Sequence, residues 1–249
     1  MADKRKILKT MTSKVDVIFS ASELSDGKVE GKAVVVVDVL RATSVMVTAL
    51  NNGANKVLPV LSPTEAFEYK QGNGEKIILA GERNADRIDG FDYGNSPWEM
   101  KPEVISGAIL VMTTTNGTLA IRGADKASDL FVASFLNAEA TALALSDHKE
   151  IVLIGSGTNG EFSLEDTLCT GYLVDLLIKA NDDILLSDAA LASRQLYLSV
   201  ENDMWLLASN GRHYQILKEK GRAEDLNYCF RKNEVPIVCK RVGDFICSV

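Results

Sequence analysis

Three stretches of the chain repeat one alternation of apolar and polar positions: a β-branched run, a turn rich in Gly, Ser, Thr or Asn, then apolar positions at helical spacing. They are KAVVVVDVLRATSVMVTALNNGA, GAILVMTTTNGTLAIRGADKA and KEIVLIGSGTNGEFSLEDTLCTGYLVDLLIKA. The runs are apolar throughout rather than alternating, which predicts strands covered on both faces by helices. Further strands are predicted at Val15 to Ser20, Lys56 to Val60, Lys76 to Ala80, Asp129 to Ala133 and Val235 to Cys239. The expected fold is a layered α/β/α arrangement with a largely buried mixed or parallel sheet. In the first two stretches a Gly-Ala turn (Gly53 and Ala54, Gly123 and Ala124) leads to a strand and then to a helix opening at SPTEA or LNAEA. This admits two similar lobes from an internal duplication with a spacing of about 70 residues, although the α/β period alone yields such a pattern. Ser187 to Gly221 is helical in pattern, with Gly211 and Gly221 as stops, and reads as structural.

Length and composition add limits. With 249 residues and no Pro- or Ser-rich linker, residues 1–249 form one compact unit, or two closely packed lobes without a tether. No apolar run reaches the roughly 18 residues of a membrane span. The N-terminus, MADKRKILKTMTSK, is basic but has no apolar signal region, so a cytoplasmic protein is expected. A net charge of −7 argues against nucleic acid as a partner. Cys169, Cys229, Cys239 and Cys247 form no CxxC pair and suggest neither a disulfide framework nor a zinc site.

Candidate chemistry lies in the loops after the apolar strands, where ligands of open α/β sheets bind. In VVVVDVLRATS, Asp38 is followed by Arg41, Thr43 and Ser44 at a helix start. A carboxylate for a metal, a guanidinium for an oxyanion and hydroxyls beside free amides describe a phosphate site. An ion pair and an N-cap describe the same residues without a ligand. Thr113 to Gly117, in VMTTTNGT, can hold an anion through hydroxyls and amides, or form a plain Asn-Gly turn. In GSGTNGEFSLEDTLCTG, Ser163 with Asp166 fits helix capping, which leaves Glu165 unexplained. AGERNADRIDGFDYGNSPWEM is long and polar, and its Glu82 could reach a metal and its Arg83 and Arg87 anions. His148 and His213 are predicted on helices outside all four loops, so histidine-dependent chemistry is not expected. Leu40 stands where aspartyl-phosphate phosphatases carry a second acid.

Together DVLRATS, GERNADRIDGFDYGNSP, TTTNGT and GTNGEFSLED closely resemble the 2-phosphosulfolactate phosphatase family of coenzyme M biosynthesis, from about Val15 to Val238. The resemblance implies magnesium-dependent hydrolysis of 2-phosphosulfolactate to sulfolactate and phosphate on an unusual α/β fold. Carried over by motif, the site residues are Asp38, Arg41, Thr43 and Ser44; Glu82, Arg83, Asn95 and Ser96; Thr114, Thr115, Asn116 and Gly117; and Glu165 with Asp166. The expected metal ligands are Asp38, Glu82, Glu165 and Asp166, around Mg²⁺; Asp38, Arg41 and Asn116 are the expected catalytic residues. The arginines, with Thr43, Ser44, Asn95, Ser96 and the 114–117 turn, are expected to bind the small anionic phosphorylated metabolite. Two alternatives remain open: a phosphatase or phosphoryl transferase for another phosphorylated hydroxy acid, and a non-catalytic anion-binding regulatory module. A homodimer is the ordinary expectation for a metabolic enzyme of this size.

Overall fold

The computed structural model describes residues 12–181 and 183–249. All but the last three residues of the basic N-terminal stretch lie outside this range. The chain runs β1 (Ser13–Ile18), α1 (Asp26–Val29), β2 (Ala33–Val37), α2 (Ala42–Asn51), β3 (Lys56–Pro59), α3 (Pro63–Gly72) and β4 (Ile77–Arg83). It continues with β5 (Asp86–Arg87), α4 (Pro102–Ile105), β6 (Ile109–Thr113), α5 (Gly117–Gly123), β7 (Asp129–Ala133), α6 (Ala138–Ala144) and β8 (Glu150–Gly155). Then come α7 (Leu164–Ala180), β9 (Ile184–Leu186), α8 (Asp188–Ser199), α9 (Trp205–Ala208), α10 (Arg212–Glu219), α11 (Ala223–Cys229), β10 (Cys239–Val242) and β11 (Phe245–Ser248).

One mixed sheet holds eleven strands in the order β5-β4-β6-β3-β11-β10-β7-β2-β8-β1-β9. β7, β2, β8, β1 and β9 are parallel neighbours, as are β3, β6 and β4. The antiparallel hairpin β10–β11 joins the two blocks, so the blocks run in opposite senses. The order strand, helix, strand, helix, strand occurs twice, as β2-α2-β3-α3-β4 and as β6-α5-β7-α6-β8. The two copies exchange a strand. β2 lies between β7 and β8, while β6 lies between β3 and β4.

The apolar strand pattern is accounted for by what covers each face. Val34, Val36, Leu130, Val132, Val152 and Ile154 from one block share a core with Val57, Ile78, Leu110 and Met112 from the other, and α2 and α5 belong to that same core. The alternate residues Val35, Val37, Phe131 and Leu153 pack instead against α6, α7 and α8, and Leu58, Leu79, Ile109 and Val111 against α3. Each block is therefore an α/β/α sandwich, and α2 and α5 form the middle layer common to both. A helix with no exposed face must be apolar all round. Every residue of α2 from Ala42 to Leu50 is buried, and its hydroxyls satisfy the requirement by bonding backbone: Ser44 Oγ donates to the Val39 carbonyl and Thr48 Oγ1 to that of Ser44.

Two predicted elements differ. The expected strand at Val235 to Cys239 begins only at Cys239, because Pro236 has no N–H to give a ladder, and its partner β11 follows two residues after Val242. Gly211 opens α10 rather than closing a helix, whereas Gly221, with φ +72°, does end α10. No helix among the described residues is long and apolar enough to cross a membrane.

Candidate active site

The N-terminal ends of α2 and α5 meet over the middle layer, and the strands that lead into them bring two loops together. In each loop a helical threonine ties down the residue that leaves the strand. Thr43 Oγ1 donates to the Asp38 carbonyl and accepts from its amide, and Thr118 Oγ1 does the same for Thr114. Gly117 permits the approach: a Cβ there would lie 2.5 Å from Ala42 Cβ and 2.7 Å from Asp38 Oδ2. Thr43, Ser44 and Gly117 thus build the floor rather than face a ligand.

Above this floor lies a cavity of about 240 Å³, lined by Asp38, Arg41, Glu82, Asn95, Thr114, Thr115 and Asn116 among others. Seven of the residues expected from sequence are brought together here. Asp38 Oδ1 accepts from the Ala42 amide, which leaves Oδ2 for a ligand. Glu82 comes from the end of β4 and is fixed by three donors: the Thr115 amide at 2.9 Å, Thr115 Oγ1 at 3.0 Å and the Ala85 amide at 2.9 Å. The last of these holds a two-residue turn in which Asn84 and Ala85 both have positive φ, 55° and 64°. For Ala that is a strained conformation. Asn116 Oδ1 accepts from the Asn159 amide and so joins the turn after β8 to the site. The Asn116 and Gly117 amides have no acceptor among the described residues.

The remaining expected residues are placed elsewhere. Asp166 accepts from the Val39 and Gly157 amides, one on each carboxylate oxygen, and so clamps the loop after β2 to the loop after β8. Glu165 faces a neighbouring cavity with Arg212 and His213. Arg83 turns to the Glu82 carbonyl and Thr113 Oγ1. Ser96 Oγ donates to Asp225 at 2.5 Å. Among the described residues no group of three or more His, Cys, Asp or Glu has the geometry of a metal cage.

Sequence reasoning missed the far wall. Asp225, buried on α11, receives both Ser96 Oγ and the guanidinium of Arg41, also buried. His213 and Ile216 of α10 and Lys220, the residue that follows it, line the cavity, so the segment expected to be purely structural forms one wall of the site. Helical spacing marked α10 as amphipathic but carried no signal of what its inner face meets. Arg212 pairs with Glu161 at one end of α10, and Lys220 with Asp86 at 2.5 Å at the other.

The electrostatics are unbalanced. Burial raises the Asp38 carboxyl from 3.8 to about 7; the Ala42 amide opposes this, Glu82 and Glu165 add to it, and Arg41 opposes it. Burial likewise raises Asp166, with Asp38 and Glu165 adding, and raises Glu165. Burial, followed by Arg41, lowers His213 and keeps its imidazole neutral. Asp38, Glu82, Glu165, Asp166 and Asp225 are buried acids beside one buried arginine, Arg41, and such an excess of carboxylates is the donor chemistry that a hard divalent cation offsets. Asp38 and Glu82 suit one that keeps most of its waters and meets one or two carboxylates. Asp166 is set apart from them by position: it is absent from the cavity wall and ties two loops together instead.

A family model described as 2-phosphosulpholactate phosphatase matches residues 18–243. A protein of Clostridium novyi (strain NT), described as a probable 2-phosphosulfolactate phosphatase, is 46% identical over 226 residues, covering 90% of this chain and 95% of the relative. One of Clostridium perfringens (strain SM101 / Type A), with the same description, is 47% identical over 229 residues, covering 90% and 92%. Another, from Clostridium botulinum (strain Eklund 17B / Type B), is 40% identical over 235 residues, covering 94% and 98%.

Proposed function

Because the chain belongs to the 2-phosphosulpholactate phosphatase family, we propose that it hydrolyses 2-phosphosulfolactate to sulfolactate and phosphate in the cytoplasm, as a step of coenzyme M biosynthesis, and requires Mg²⁺. The observation that carries this reading is the convergence, on one cavity, of two carboxylates, a buried guanidinium and the hydroxyl and amide donors of the 114–117 turn. A binding module for anions would have no use for Asp38 and Glu82 beside those donors.

Asp38 and Glu82 would hold the Mg²⁺. When bound, it would draw charge from the phosphoryl oxygens and lower the pKa of a coordinated water. The protein's own groups supply the rest. Arg41, fixed by Asp225, presents its remaining N–H groups to the phosphoryl oxygens, whose charge spreads as the bond to the leaving oxygen loosens. Thr114, Thr115 and the free amides of the turn donate to the same oxygens without a charge of their own. Asp38 Oδ2, with the Ala42 amide on Oδ1, serves the metal if water is the nucleophile and attacks phosphorus itself if it is not. Lys220 and neutral His213 line the opposite wall.

Phosphate release from 2-phosphosulfolactate, phosphoenolpyruvate, phosphoglycerates and p-nitrophenyl phosphate, with Mg²⁺ and with EDTA, tests this. Metal-dependent release that favours the sulfonated ester is expected. Preference for another ester would keep the chemistry and replace the substrate; no release from any of them would overturn the reading.

A further inference from the structure

A second cavity of about 200 Å³ adjoins the first, and Arg41, Ala85 and Asn95 belong to the walls of both. Its other walls are Arg87, Gly94, Ser96, Glu99 and Arg222. Three arginines from separate elements thus line one small space: Arg41 ahead of α2, Arg87 in β5, whose guanidinium also donates to the Asp92 carbonyl at 3.4 Å, and Arg222 ahead of α11. Glu99 is the one acid in the wall, and its carboxylate is engaged by the Ser96 amide. Asp225 lies behind, occupied by Arg41 and Ser96. Among the described residues neither Arg87 nor Arg222 forms a salt bridge.

Two buried polar atoms of this wall also lack partners. Arg41 Nε and Asn95 Oδ1 make no hydrogen bond, in residues that are 3% and 6% exposed. An unpartnered buried polar group costs on the order of 1–3 kcal/mol, so such pairs mark a place that a ligand completes. The Asn95 amide presents either its oxygen or its NH₂ by rotation about one bond. An arginine fork matches a planar or trigonal oxyanion in bidentate fashion.

We infer that this arginine-lined cavity is a subsite for a second oxyanion, one borne on the carbon chain of the substrate and not transferred, and that Arg87 and Arg222 set specificity for it. The inference rests on the phosphatase reading above and assigns the phosphoryl group to the first cavity, with Arg41 spanning both. A monoester with no second charge leaves the subsite empty. One carrying a sulfonate or a carboxylate a few bonds away fills it.

The test uses Arg87→Ala and Arg222→Ala, both at exposed positions, whose thermal melts check that folding is retained. For each protein kcat/KM is measured with 2-phosphosulfolactate, 2-phospholactate and p-nitrophenyl phosphate. The ratio of kcat/KM for 2-phosphosulfolactate over p-nitrophenyl phosphate should fall about tenfold or more in each variant, the effect of losing one charge-assisted contact. It should fall through KM, and Arg222→Lys should recover part of the loss. A fall shared by 2-phospholactate identifies the carboxylate as the occupant; a fall confined to the sulfonated ester identifies the sulfonate. A ratio unchanged in both variants overturns the subsite. If the wild-type protein hydrolyses none of the three, the phosphatase reading has failed, and calorimetric titration with sulfolactate and with inorganic phosphate decides the subsite alone. Loss of sulfolactate affinity relative to phosphate in Arg222→Ala upholds it, and equal affinities in variant and wild type overturn it.

Discussion

At the scale of single residues, the site depends on what is missing from Gly117. Its neighbours are not flexible tips: Ala42 is the first residue of a fully enclosed helix, and Asp38 is held at both its amide and its carbonyl by Thr43. A methyl group 2.5 Å from Ala42 Cβ and 2.7 Å from Asp38 Oδ2 must push one loop off the other. Overpacking of this kind costs about 1–3 kcal/mol. In a chain of this size that corresponds to a fall in Tm of roughly 2–12 °C. Because a displacement near 1 Å is enough to cost about a hundredfold in rate, Gly117→Ala should lose at least tenfold in kcat/KM as well. Gly27→Ala is the matched control, since its Cβ would meet nothing within 4 Å and should change neither quantity. A Gly117→Ala protein as stable and as active as Gly27→Ala would show that the two loops do not need their close contact.

Among the elements, the three strand-loop-helix units were legible because their strands are unbroken apolar runs and their loops abruptly polar; Asp38, Arg41 and the 114–116 turn do converge. The segment after Ser187 was not legible in the same way. His213 and Asp225 sit on short helices and Lys220 just past the end of one, and a helical period reports that one face is buried without reporting against what. The partner of Asp225 is Arg41, 184 residues away in the chain, a distance over which only tertiary structure supplies the register. β5 and β9, of two and three residues, are too short for a period to exist. The Arg41–Asp225 pair is also where the element scale can be tested. Asp225→Asn keeps the shape of the side chain and removes the charge, leaving a buried guanidinium without its counter-ion. Breaking a buried pair from one side costs about 3–5 kcal/mol. Asp225→Asn should therefore melt well below the wild type and, with Arg41 no longer oriented, show a kcat at least tenfold lower. If kcat survives while Tm falls, α11 only braces the fold and does not position Arg41.

For the molecule as a whole, the apolar strands foretold a buried sheet but not its sharing of one helical layer between two blocks, because both blocks are apolar on both faces and local pattern cannot tell which faces meet. The acids collect in the loops and element ends around the N-termini of that layer, so the protein concentrates carboxylates in its interior and stability should record it. Asp38 rises from 3.8 unfolded to about 7 folded, so the folded chain holds this proton more tightly than the unfolded one. Below about pH 4 both states are protonated and there is no penalty. Between pH 4 and 7 the unfolded chain ionises first, so stability falls as pH rises; above 7 the full cost is present. A shift of that size corresponds to roughly 4 kcal/mol. Burial moves Asp166 and Glu165 in the same direction. In EDTA, the wild-type protein should therefore melt lower at pH 8 than at pH 5. Asp38→Asn, inactive, should be the more stable of the two at pH 8 and lose that advantage towards pH 5. Mg²⁺ at a hundred times its dissociation constant should return about 2.7 kcal/mol to the wild type at pH 8 and nothing to the variant. Melts of both proteins at the two pH values, with EDTA and with Mg²⁺, measure all of this. An Asp38→Asn protein destabilised equally at pH 5 and pH 8, or stabilised by Mg²⁺ as much as the wild type, would mean that the charge at the centre is balanced by the protein itself and that Asp38 does not hold the metal.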